Sequence, residues 1–211
     1  MLNELLCKKL ANLILTPPED YPIVTTELIK YLTPCMKGVY VTTNKPFIAL
    51  RDMLEKEGVD IKNLVFIDCI SRAITNSLIE LREVSLCNDE PSNCFFIKTP
   101  ENLTDISIGI IEAIDDADFL FFDSISTLLL YNDAKNVARF AHFLIGKMRI
   151  KKIITIFIIV DNPEEKGFIC HISQFFDNVL KIKLRKKWNT KIQKRRLGEV
   201  IKNLINSEEE E

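Results

Sequence analysis

The sequence predicts an α/β fold, a mostly parallel β-sheet with helices on both faces. Three observations lead there. Short apolar runs alternate with stretches of helical periodicity along the chain. The run 153–160 (IITIFIIV) has no polar alternation, the pattern of a strand buried on both faces of a helix-covered sheet. The run 178–184 (NVLKIKL) alternates apolar residues with lysine, the pattern of an edge strand with one wet face.

The elements follow in chain order. Asn12–Leu15 (NLIL) is the first strand and runs into a proline-rich loop, Thr16–Pro22. Thr25–Leu32 reads as a helix with Leu28, Ile29 and Leu32 on one side. Gly38–Thr42 (GVYVT) is the second strand. Pro46 opens the next helix, where its fixed φ is already helical. Phe47, Leu50 and Leu54 form that helix's stripe, and Gly58 follows its end. Leu64–Cys69 is the third strand. Ile74, Leu78, Ile79 and Leu81 fit a helix, and 87–93 (CNDEPSN) is loop. Phe95–Ile97 is a short strand. Asn102 or Thr104 caps a helix with Ile106, Ile110, Ala113 and Ile114 on one face. Asp118–Ser124 (DFLFFDS) is the fourth main strand. Asp133 caps a long helix that turns Val137, Ala138, Ala141, Ile145 and Met148 inward.

Composition narrows the class. The 211 residues, 47% hydrophobic and 27% charged, suit one globular domain. Residues 1–184 form that domain. Residues 185–211 form a basic extension with a short helix (Leu197, Val200, Ile201 and Leu204 at helical spacing) and an acidic tail, Glu208–Glu211. The net charge of −2 gives no global bias toward nucleic acid or membrane. No apolar run reaches the roughly 18 residues of a membrane span. No secretory leader is evident, and the six cysteines show no C-x-x-C spacing, so zinc and redox sites are not expected. The thiols are read as reduced and the protein as cytoplasmic. Cys69 and Cys170, inside apolar stretches, read as small hydrophobes, and a Cys87–Cys94 disulfide is not favoured.

Three stretches carry a resemblance. GVYVTTNKP (38–46), LVFIDCIS (64–71) and FLFFDSISTLLLYND (119–133) resemble, in order and spacing, the core strands of archaeal KaiC-like proteins, a branch of the RecA superfamily. The resemblance spans Leu13 to Leu184. It implies a three-layer RecA-like P-loop NTPase fold and an archaeal source. It also implies three chemical elements: a glycine-rich phosphate loop ending in lysine and threonine, a water-activating carboxylate after the second strand, and an aspartate ending a later strand that helps hold magnesium. At the loop position stands TPPEDYPIVTT (16–26). Pro17 and Pro18 match the family pattern, and Thr25 and Thr26 match its closing threonines. The two later glycines and the lysine are missing, Glu19 and Asp20 add negative charge, and Pro22 removes another N–H donor. Asn44 and Lys45 occupy the position of the catalytic base, which neither can replace. Asp123 matches the magnesium aspartate, with Ser124 and Ser126 beside it.

The candidate nucleotide-binding residues are therefore Thr25, Thr26, Asp123 and Ser124, and Asp123 is the candidate metal ligand. The simpler reading of Asp123, a strand-end residue bonded to a neighbouring loop, is favoured. Glu19 and Asp20 read as a solvated acidic loop rather than a cation site with Asp123. Asp68, at a strand end, is a minor catalytic candidate against a turn residue. His142 and His171 read as surface or half-buried residues without ligand partners. The tract 185–196 (RKKWNTKIQKRR) has seven basic residues and no acidic one. Arg185, Lys186, Lys187, Lys194, Arg195 and Arg196 could meet phosphates while Trp188 stacks on a base. The simpler reading is a wet strand extension and helix start.

Three functions compete. The leading one is a non-catalytic RecA-like module acting in regulation or assembly through a protein partner or self-association, with no cofactor expected. The second is an ATP-binding protein or weak ATPase using MgATP on an altered loop, with a basic residue such as Lys45 donated from elsewhere. The third is a nucleic-acid binder acting through the C-terminal tract.

Overall fold

A computed structural model describes residues 10–74 and 93–184. Seven strands form one sheet: β1 (Ala11–Thr16), β2 (Gly38–Thr42), β3 (Leu64–Asp68), β4 (Cys94–Phe96), β5 (Phe119–Asp123), β6 (Ile154–Val160) and β7 (Asn178–Lys181). Their order is β4-β3-β2-β5-β6-β1-β7, and every pairing is parallel. The helices described in full are α1 (Tyr21–Leu32), α2 (Phe47–Lys56), α3 (Leu103–Ala113), α4 (Ala134–Lys151) and α5 (Lys166–Ser173). One apolar core lies between the sheet and α1 and α2, with Tyr40, Phe66, Phe119 and Phe121 at its centre. The other lies beneath α3, α4 and α5, around Phe122, Phe140 and Phe157. This is the predicted three-layer architecture.

Local chemistry explains the boundaries. Asn102 caps α3 by accepting from Asp105 N–H (3.1 Å), and Asp133 caps α4 by accepting from Asn136 N–H (2.9 Å). All five inward residues expected on α4 are buried. Gly58, at φ +76°, ends the chain segment after α2. β6 is buried on both faces through its first six residues, and β7 is an edge strand with alternating exposure.

Some elements differ from expectation. α1 starts at Tyr21 rather than Thr25, because Pro22 occupies its first turn, where the missing N–H has no intrahelical partner to lose. The loop before it shrinks accordingly to residues 17–20. α5 was not expected; Phe168, Ile169 and Ile172 form its short buried stripe. Cys170 on that helix is exposed rather than a core hydrophobe, since it lies on the side away from this stripe. Cys94 is buried and not in a disulfide bond, while Cys87 and most of the 71–91 segment lie outside the described residues.

Candidate functional site

Parallel sheets bind ligands at the carboxyl ends of their strands. Here those ends carry a polar row on the α1/α2 side. The register sets Thr42 level with both Asp68 and Asp123, and Asp123 level with Ile158. Thr16 ends β1 one side-chain repeat beyond Ile14, which is also level with Ile158.

Asp123 is the residue of greatest chemical interest in this row. It is buried, and its Oδ2 accepts a hydrogen bond from the Tyr40 hydroxyl. Its Oδ1 has no partner among the described residues. Burial disfavours the charged form and pushes its pKa up to about 7. The same burial raises the Tyr40 phenol above its usual range. The neighbouring groups are mostly committed to one another. Thr43 Oγ1 donates to the Ser124 carbonyl (2.8 Å) and accepts from the Ser124 N–H (3.0 Å). The Ser124 and Ser126 hydroxyls are 2.7 Å apart. The Asp123–Ser124 peptide bond is cis.

At the loop position, residues 17–20 make a tight turn. The N–H groups of Asp20 and Tyr21 both donate to the Pro17 carbonyl at 3.0 Å. Those of Ile23 and Val24 donate to the Asp20 carbonyl at 3.1 and 2.9 Å. Pro17, Pro18 and Pro22 have no N–H to offer. Thr25 and Thr26 do not edge the loop; they sit in the second turn of α1, both buried. Thr26 Oγ1 donates back to the Pro22 carbonyl (2.8 Å), and Thr25 Oγ1 has no partner among the described residues. The residue before Thr25, where the family pattern has its lysine, is Val24, which is fully buried. Glu19 is exposed, while Asp20 Oδ2 accepts from Leu184 N–H (2.8 Å) and ties the loop to the chain after β7.

The remaining candidates separate. Asp68 is fully buried and accepts four hydrogen bonds: Phe47 N–H and Ser71 Oγ at 2.6 Å, and Ile70 N–H and Ser71 N–H at 2.8 Å. It anchors the start of α2 to the turn after β3, so its oxygens are occupied by the fold. Asn44 is exposed, and Lys45 Nζ approaches Met53 Sδ at 3.3 Å. His142 and His171 are exposed, but both lie against Phe175, at 4.9 and 5.9 Å between ring centroids. Residues 185–196 lie outside the described residues. Among the described residues no helix is long and apolar enough to cross a membrane, and no group of three or more His, Cys, Asp or Glu residues could hold a metal.

The structure thus brings Asp123 and Ser124 together with Thr43 and Tyr40, two residues that sequence reasoning missed. A tyrosine in the middle of a uniformly apolar strand was the available signal, because a buried hydroxyl needs a partner.

The architecture is that of the RecA-like α/β fold. It is similar to a KaiC-like protein, PH0186, from Pyrococcus horikoshii, at TM-score 0.57 and 14% identity, over 85% of this chain and 74% of that one. The flagellar accessory protein FlaH from Methanocaldococcus jannaschii is similar at TM-score 0.57 and 14% identity, over 89% and 78% of the two chains. An uncharacterized Pyrococcus horikoshii protein, PH0321, solved with an unknown peptide, is similar at TM-score 0.56 and 12% identity, over 82% and 77%. No curated protein matches the chain. The chain belongs to a family of unknown function (DUF7504), whose family model matches residues 33–182 and so begins after β1 and α1.

Proposed function

We propose that this chain is a RecA-like binding module that neither grips nor hydrolyses ATP. One observation carries the reading: between residues 17 and 24 every backbone donor except the Glu19 N–H is either absent or spent within the turn and the start of α1. Phosphate loops work by aiming free N–H groups, backed by a helix N-terminus and a lysine, at the anion. Here three residues are prolines, four N–H groups donate inward, and a buried valine precedes the threonines. Exposed Glu19 adds repulsion. The residues present do not fit a nucleotide polyphosphate.

Asp123 supports the same reading. A magnesium aspartate must be ionised and reachable, whereas this one is buried, bonded to Tyr40 and favoured in its neutral form below about pH 7. Its role is to join β5 to β2. The fold is shared with proteins described as KaiC-like, as a flagellar accessory and as peptide-bound, and a module acting through protein contacts is compatible with each.

The test is thermal unfolding with MgATP and MgADP, comparing wild type with Asp123→Ala. A ligand that binds only the folded state adds about 2.7 kcal/mol at a hundred times its Kd, so even weak binding is visible at millimolar nucleotide. The expected result is no concentration-dependent shift. A shift that grows with MgATP and vanishes in Asp123→Ala would restore the nucleotide-binding reading.

A further inference from the structure

A groove of about 670 Å³ lies between α4 and α5. Its floor is apolar, formed by Ala138, Phe168 and Phe175. Ala134 and Gly167 keep its walls low, and a Cβ placed on Gly167 meets no atom within 4 Å. A partner could therefore approach the α5 backbone closely. The chain's two histidines, His142 and His171, flank Phe175 in this groove.

Its charge is one-sided. Lys135 and Arg139 line it, neither in an ion pair among the described residues, and no carboxylate is among its lining residues. Asp133, the nearest acid before α4, is occupied in capping Asn136. An apolar floor with two unpaired cations beside it complements an apolar anchor with carboxylates beside it. Nucleic acid fits less well. A phosphate backbone needs a longer track of cations, and the Phe175 ring already has two imidazole neighbours.

We propose that the α4/α5 groove docks an acidic amphipathic peptide segment of a partner protein. The apolar anchor enters over Ala138, Phe168 and Phe175, and flanking carboxylates pair with Lys135 and Arg139. This rests on the reading of the chain as a binding module and names the chemistry of its partner.

The experiment is fluorescence anisotropy of the full chain with a labelled peptide, EELLEFLEE, and its basic counterpart, KKLLKFLKK, at low salt. Gly167→Trp fills the groove from an exposed helix position, Lys135→Glu with Arg139→Glu reverses its charge, and Gly167→Ala controls for helix stability. The acidic peptide should bind about tenfold or more tightly than the basic one. Both the Trp variant and the charge reversal should cost about tenfold, the scale of a lost interface anchor, while Gly167→Ala binds as wild type. Equal binding of the two peptides, unchanged binding in Gly167→Trp, or no binding of the acidic peptide at millimolar concentration would overturn the proposal. So would self-association that Gly167→Trp abolishes, which would assign the groove to a second copy, or an oligothymidine that displaces the peptide. Failure here with no nucleotide-induced shift removes only the groove; a nucleotide-induced shift removes the module reading beneath it.

Discussion

Replacing Asp123 by asparagine should remove a pH dependence from the protein's stability. Asp123 moves from an ordinary carboxyl pKa of 3.8 in the unfolded chain to about 7 in the folded one, through burial. At about 1.4 kcal/mol per pH unit, that difference corresponds to about 4 kcal/mol. Its sign follows from proton binding. Below pH 3.8 both states hold the proton and the fold suffers no ionisation penalty. Between 3.8 and about 7 the unfolded chain releases the proton while the fold keeps it, so stability falls as pH rises. Above about 7 both states are ionised and the contribution is flat. The loss is a large fraction of the 5–15 kcal/mol typical of a domain. Asparagine keeps an oxygen to accept from Tyr40 but cannot ionise. Urea unfolding of both proteins between pH 4 and 8 should show wild type losing about 4 kcal/mol relative to Asp123→Asn as pH rises. Parallel pH profiles would refute the reasoning, because they would mean that Asp123 is already charged in the fold.

Two further predictions concern packing. Asp68→Ala leaves four donors without their acceptor, three of them backbone N–H groups, and should cost about 3–5 kcal/mol by urea titration, since each buried donor left unpaired costs about 1–3 kcal/mol. Gly38→Ala places a methyl 2.1 Å from Phe119 Cζ, inside a ring that is fully buried, and should lower stability by about 1–3 kcal/mol in thermal unfolding.

The layered fold was legible because its signals are local and repeated. The uniform apolar run of β6, the lysine alternation of β7 and the Asp133 cap each announce their element and their place. The site was half legible. The absence of the loop's glycines and lysine is visible in sequence, and it underlies the proposal made above. That Asp123 is closed off by Tyr40 was not, because it depends on β2 and β5 being neighbours although 76 residues separate the end of β2 at Thr42 from the start of β5 at Phe119. The start of α1 was misplaced for a different reason. Residues 16–22 hold three prolines and read together as loop, although the last of them, Pro22, suits a helix's first turn. The α4/α5 groove escaped notice because α5 has only eight residues and His142 and His171 lie 29 apart in sequence.

The early start of α1 also closes a road. A lysine at position 24 would follow the valine's path into the packed layer beneath α1, where an ammonium group would lie among Leu28, Tyr40 and Phe121 instead of over an open loop. Making room for a phosphate would require lengthening the segment between β1 and α1 and removing its prolines together. No single substitution does both. On the proposed reading, the length of one turn acts against nucleotide binding more firmly than the identity of any one side chain within it.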